Sequence, residues 1–341
     1  MAKIKYGLFL RGQFPREDDM VVRMQELFEQ ARRADELGFS DIMVGMHYAS
    51  FPLWMPSMVP FMARLSGEAP NVRLCAGIVL LSLHKPLDVA EQFATIDVMS
   101  KGRVVFGVGL GYREVEFNGF GTTQSERVSR FEENLEAVIK LWTEENVTIK
   151  GSHFELNEVN IGMKPVQKPR PPVWIGANAD GAVKRAARMA DSWFINPHQK
   201  MGTIERQLDI YKAERQRVGM PMPDELPLMR EIFVAPTRDE AIKRGRPYIE
   251  QKYKVYVKWG QDKAMPKEDR DLAADFDELT KDRFLIGSPD EIAEQIAGYH
   301  KRLGVNNICL GAQGVGMPQS QLLEAIQLFS EEVMPRVEQA I

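Results

Sequence analysis

Short apolar runs and longer amphipathic stretches alternate along the chain. The runs are nearly continuous instead of in–out alternating, as parallel strands buried on both faces require. The first, IKYGLFL at 4–10, leads into a helical pattern that Asp18 or Asp19 would cap and Gly38 would stop. The second and third runs lie at 41–48 and 72–81. The helix after the third has Pro86 at its first position and Gly102 past its end, the arrangement that capping chemistry favours. The fourth run is RVVFGVGLG at 103–111, followed by a long helix from Gln124. Runs five to eight lie at 171–177, 191–197, 227–236 and 306–311, and the helix before the last starts at Ser288 or Asp290. Eight strands alternating with helices predict one α/β domain over 1–341, a single (β/α)8 TIM barrel with insertions. A doubly wound sheet is the competing arrangement. Two stretches break the rhythm: a hairpin and Pro-rich approach ahead of strand five, and the charged segment 258–287, which reads as a lid insertion.

Composition narrows the partners. The chain is 44% hydrophobic and 27% charged, ordinary for a globular protein. A net charge of -4 offers no general attraction to nucleic acid or to a membrane surface. The longest apolar runs are too short to span a bilayer. The N-terminus reads as a first strand and not as a signal peptide. Cys75 and Cys309 each sit in an apolar run, so two buried free thiols and a cytoplasmic location are expected.

In a barrel, chemistry collects at the C-terminal ends of the strands. Those ends carry Arg11 and Gln13, His47 and Tyr48, Ser82 and His84, Gly109 to Arg113, Gly176 to Asn178, Asn196 and His198, and Gly311 and Gln313. No HxH, HExxH or CxxC occurs and the ends are nearly free of carboxylates, with Glu114 and Glu231 nearest; no metal site is expected. There is no GxSxG and no P-loop. GVGLGY lacks the last spacing of a dinucleotide fingerprint and runs into YREVEFNGFGTT, which reads as a loop. What remains is an apolar, glycine-rich mouth that suits a flat aromatic cofactor, with Gly107, Gly109 and Gly111 thinning the wall. Tight packing at the barrel rim would use the same glycines. GANADGAVKR adds a helix start whose N–H groups suit a phosphate.

The chain resembles the bacterial luciferase-like flavin monooxygenase family. The resemblance lies in ADELGFSDIMVGMHY, KPLDVAEQFATIDVMSKGRVVFGVGLGY, EFNGFGTT, RFEENLEAVIKLWTEENVTIKGSHFEL, PPVWIGANADGAVKRAARMADSWF and IGSPDEIAEQIAGYHKRLGV. It implies a barrel enzyme, usually a homodimer, with FMN or the deazaflavin F420 at the mouth. Reduced FMN, often from a separate flavin reductase, would react with O2 to a C4a-peroxyflavin that oxygenates a small hydrophobic or carbonyl substrate. An F420-dependent hydride transfer is the alternative, and a non-catalytic flavin-binding barrel is a further one. His47 matches the first histidine of the family's pair and is the candidate catalytic residue; Tyr48 replaces the second, and Met46 the preceding acid. The resemblance places a non-prolyl cis peptide at Ala76–Gly77 beneath the ring. It places cofactor contacts at Gly109, Leu110, Gly111 and Tyr112, and at Gly176, Ala177, Asn178 and Ala179. Leu110 stands where an arginine would pair with the phosphate, leaving that task to Arg113 or to the backbone at Asn178–Asp180. Tyr48, His84 and His198 are the candidate substrate contacts. Arg11, Arg113, Lys200 and Arg230 are available to the polyanionic tail of F420. Phe51, Trp54 and Trp193 are read as an aromatic lining for an apolar substrate.

Overall fold

The computed structural model describes residues 3–341. Among these residues eight parallel strands close into a ring: β1 (Lys5–Leu10), β2 (Asp41–Val44), β3 (Arg73–Ala76), β4 (Val104–Gly109), β5 (Val173–Ala177), β6 (Ser192–Ile195), β7 (Pro227–Val234) and β8 (Asn307–Gly311). Each pairs with the next, β4 with β5 included, and β8 returns to β1 with Lys5 opposite Asn307. Ring closure removes the doubly wound alternative and confirms the (β/α)8 barrel. Every strand sends one residue to a cluster inside the ring: Phe9, Met43, Cys75, Val105, Trp174, Phe194, Met229 and Cys309. Both cysteines are buried and free there.

The helix ends follow their local chemistry. Asp19 accepts from the N–H groups of Val21 and Val22 at the start of Met20–Glu36. Pro86 opens Pro86–Met99. Ser288 and Glu291 form a capping box on Pro289–Leu303, which ends at Gly304 with φ of 73°. The predicted hairpin pairs Val147–Lys150 with Glu155–Val159.

Four features differ from the sequence reading. Met58–Glu68 is helical; its dense apolar content, with Pro60 inside, hides a 3.6-residue period. Glu114–Gly119 is also a helix, where a loop was predicted; six residues are too few for any periodicity to show. The segment 258–287 ends as a strand, Phe284–Gly287, paired with Glu231–Val234 of β7. Phe284, Leu285 and Ile286 are buried apolar residues, so these last four residues belong to the barrel sheet and not to the insertion.

The fourth difference concerns β3, which breaks before 81. Cys75 is opposite Val105, and the ladder resumes with Val79 opposite Val108, so β3 carries one extra residue against β4. The non-prolyl cis bond is Gly77–Ile78, one peptide beyond the expected Ala76–Gly77. The ladder to β2 runs on through Gly77, whose N–H donates to Val44 O at 2.7 Å, and the strand departs after it. This break explains the β4 glycines. A Cβ on Gly107 would fall on the Ala76 carbonyl oxygen, and one on Gly109 would fall on the Ile78 side chain. These two glycines make room for the neighbouring strand; they do not form the wall of a cofactor site.

Candidate active site

At the C-terminal end of the ring lies a cavity of about 660 Å3. Phe9, Phe194 and Met229, the upper part of the interior cluster, line it. Gly77, Ile78 and Leu110 to Tyr112 form one arc of wall, and Gly176 to Ala179 the next. Ala76 and Gly109, expected among the cofactor contacts, do not line it, being buried behind Gly77 and Ile78. The other eight residues in that group do.

His47 lines the cavity where β2 ends. Its Nδ1 is 3.0 Å from Oε1 of Glu116, which also accepts the Tyr48 backbone N–H at 3.0 Å. A carboxylate only accepts, so Nδ1 carries the proton and Nε2 is the remaining ring nitrogen. Glu116 has no side-chain exposure, and Arg113 Nη1 is 3.6 Å from it. The ring of His47 is enclosed by Tyr112, Tyr256 and Trp259, with centroids 5.7, 6.0 and 5.1 Å away. Glu116 sits on the helix read as a loop, and no spacing signal ties it to His47 69 residues earlier. Its only sequence trace is the stretch EFNGFGTT.

Arg113 does not line the cavity. It donates to the carbonyls of Tyr48 at 2.7 Å and Ala49 at 3.0 Å, and it stacks over the Trp259 ring at 4.2 Å. The basic group left on this side is Arg127, a half-buried wall residue whose Nη1 meets Gln124 Oε1 at 3.2 Å. On the adjacent strand, Asn178, Ala179 and Ala182 bring the start of helix Asp180–Met189 to the wall. Gln207 steadies this turn through Asn178 O at 2.7 Å and Asp180 Oδ1 at 2.9 Å.

The expected substrate contacts separate. His198 lines the main cavity and is buried, its Nδ1 3.1 Å from Tyr253 OH. Burial, with the cations of Lys252 and Arg11, pushes it well below the usual histidine range. Tyr48 and His84 line a second cavity of about 510 Å3, which shares Met46 and Leu80 with the first. Tyr48 OH is 3.1 Å from His84 Nε2. Burial lowers His84 and, helped by Glu116, raises Tyr48 to about 12.

The aromatic lining is not Phe51, Trp54 and Trp193. Phe51 and Trp54 are 70% and 46% exposed, and Trp193 is buried, donating Nε1–H to Ala177 O at 3.1 Å. Tyr112, Tyr256 and Trp259 hold the wall instead. Nor does the wall match the basic set proposed for a polyanionic tail. Lys200 pairs with Asp271, and Arg230 is buried against Tyr299. Among the described residues the wall holds Arg11, Arg127, Lys252, Lys258 and Lys263 against the single acid Glu114. This is a strong local bias in a chain of net charge -4. Among the described residues no three His, Cys, Asp or Glu group to hold a metal ion, and no helix is long and apolar enough to cross a membrane.

A closed parallel barrel with a base-lined mouth and a carboxylate-held histidine defines an α/β-barrel protein with its site at the strands' C-terminal ends. The chain belongs to the luciferase-like monooxygenase family, whose model matches residues 4–306. Members of the family are oxidoreductases and monooxygenases. The chain is 28% identical over 337 residues to an F420-dependent glucose-6-phosphate dehydrogenase of Microbacterium testaceum, covering 92% of this chain and 93% of that protein. It is 28% identical over 268 residues to an FMNH(2)-dependent dimethylsulfone monooxygenase of Pseudomonas putida, covering 74% and 70%. The crystal structure of a monooxygenase from Streptomyces bottropensis superposes with a TM-score of 0.85 at 25% identity, covering 97% of this chain and 99% of that one.

Proposed function

We propose that this protein is a flavin-dependent monooxygenase that takes reduced FMN and O2 and oxygenates a small organic substrate. The observation that carries this reading is the shared wall of one cavity: a small-residue arc, a phosphate-suited helix start and the His47–Glu116 pair. The residues fit the cofactor. Gly77, Gly111 and Gly176 all line the cavity, so backbone without side chains faces it where a flat ring needs close approach. Gly111 takes a φ of 77°, which aims the chain from β4 toward Tyr112. Arg127 and the first N–H groups of Asp180–Met189 would hold the phosphate.

When bound, reduced FMN supplies the two electrons that activate O2. The chain's own residues do the rest. Glu116 fixes the His47 tautomer and keeps Nε2 as the proton-handling atom. Tyr112, Tyr256 and Trp259 enclose the ring and exclude water. Trp259 belongs to the inserted segment 258–283, which covers this part of the mouth as a lid and is tied to the loop after β2 by Trp259 Nε1–H to Phe51 O at 3.3 Å.

A second reading, F420-dependent hydride transfer, is favoured by one observation: Arg127, Lys258 and Lys263 supply three basic groups on the wall for a polyanionic tail. One experiment separates the two. Purified protein is titrated anaerobically with reduced FMN and with F420, and air is then admitted. Tight binding of reduced FMN with substrate-dependent O2 consumption supports the monooxygenase. Preferential F420 binding with no O2 consumption replaces it with hydride transfer. Flavin binding with no turnover on an aldehyde, ketone and alkane panel leaves a binding protein. On either enzymatic reading the protein works as a homodimer in the cytoplasm; on the monooxygenase reading a separate reductase supplies the reduced FMN.

A further inference from the structure

At the inner end of the cavity, on the arc opposite β4 and β5, two cations share one carboxylate. Arg11 Nη2 lies 2.9 and 2.8 Å from the two oxygens of Glu231, and Lys252 Nζ also contacts Oε1. All three side chains are at most 3% exposed. Arg11 and Lys252 line the cavity and Glu231 does not. Among the described residues, Arg11 Nε and Nη1 are buried with no acceptor. The end of β8 is shaped around the pair: a Cβ on Gly311 would stand 2.6 Å from Arg11 Nη2 and 3.0 Å from Glu231 Oε2.

We propose that Arg11 and Lys252 form an anion-receiving site at the inner end of the cavity, and that the substrate presents a carboxylate to it. The proposal deepens the monooxygenase reading and rests on it for the place of the cofactor. The charge count carries it. With Lys252 protonated, one carboxylate faces two cations, and a buried surplus charge is relieved either by loss of the Lys252 proton or by a counter-charge that keeps it, while Arg11 Nε and Nη1 await an acceptor in either state. The surrounding groups do not provide one. His198, Tyr253 and Tyr256 are neutral neighbours, and Arg230 and Arg283 add positive charge. Asp271 is bonded to Arg283, and Asp269 to Lys200 N and Thr203. The phosphate side is elsewhere: Arg127 and the start of Asp180–Met189 follow β4 and β5, whereas Arg11 follows β1 and Lys252 lies on the helix after β7.

The arrangement has a thermodynamic signature. Burial, and then Arg11, lower Lys252 to about 7 against the pull of Glu231. A second anion would raise it again, so binding near pH 7.5 takes up a proton.

The test is isothermal titration of the full chain, flavin-free and FMN-loaded, with hexanoate and with neutral hexanamide, in buffers of differing ionisation enthalpy. Hexanoate binding at least tenfold tighter than hexanamide, with proton uptake that fades above pH 8.5, is expected. Lys252→Met should lose the preference and the uptake, while Glu231 keeps Arg11 as a partner. Lys252→Arg should keep the preference without uptake. If Lys252→Met fails to fold, proton uptake by the unaltered chain decides the matter. Equal affinity for acid and amide overturns the proposal, as does an unchanged preference in a folded Lys252→Met. So does a Lys252→Met variant that weakens reduced FMN but not hexanoate, because the cations would then serve the flavin ring. Hexanoate selectivity in a chain that binds neither FMN nor F420 would refute the flavin reading and leave this site standing.

Discussion

Glu116 Oε1 holds His47 Nδ1 at 3.0 Å, and the same oxygen takes the backbone N–H of the next residue, Tyr48. One buried carboxylate thus sets both the ring and the loop that carries it. Arg113 completes the frame by tying the carbonyls of Tyr48 and Ala49 to the chain after β4. Two separate loops are locked together at the point where a proton would be handled.

Replacing His47 by Ala is expected to leave flavin affinity within twofold and to lower kcat by about 100-fold or more, the usual scale of general acid–base catalysis. Steady-state kinetics beside a fluorescence titration of FMN would check it. Unchanged kcat would remove His47 from the chemistry.

Glu116→Gln keeps the shape but weakens control of the tautomer. We expect kcat to fall by about tenfold to 100-fold and its pH profile to move, with flavin affinity retained. A lower Tm with an unmoved pH profile would make Glu116 a purely structural residue.

Arg127→Ala should discriminate between FMN and riboflavin. A charge-assisted hydrogen bond is worth about 1.5–3 kcal/mol, so FMN affinity should drop by about tenfold or more, with riboflavin unaffected. Equal losses for the two would place Arg127 away from the phosphate.

Gly107→Ala should damage the fold more than Gly109→Ala. At 107 the new methyl meets the Ala76 backbone carbonyl, which has nowhere to go; at 109 it meets the flexible end of Ile78. Overpacking costs about 1–3 kcal/mol where neighbours can shift and more where they cannot. Thermal melts of both variants would rank them, and the reverse order would contradict the packing described for β3 and β4.

At the other end of the barrel, Glu225 accepts from Arg73, Lys5 and Asn307. Burial alone would raise its pKa, but Arg73 and the other donors outweigh burial and hold it at about 2. The folded value lies below the unfolded one of about 4.3, so its stabilisation is complete above about pH 4.5 and fades as pH falls toward 2. Glu225→Gln should cost about 1–3 kcal/mol at neutral pH and flatten this acid limb. Urea melts at pH 7 and pH 3 would show a smaller difference in the variant than in the parent.

The sequence by itself determined the barrel. Continuous apolar runs mark parallel strands, amphipathic stretches mark the helices between them, and Pro86 and the pairs Asp18 or Asp19 and Ser288 or Asp290 mark helix starts, because each of these signals acts within one turn or one strand; the folded chain uses Asp19 and Ser288. It also put His47, Tyr112 and Gly176 to Ala179 at the right end, since strand ends converge in any closed barrel. Contacts between strands were beyond it. Only the folded ring shows that Gly107 and Gly109 answer to a break in β3, or that Tyr48 and His84 turn into a second cavity. Only the folded ring brings Glu116 to His47, and Arg11 across 220 residues to Glu231, where Lys252 joins it. Such pairings depend on ring closure and on a one-residue register shift, and neither leaves a periodic trace along the chain.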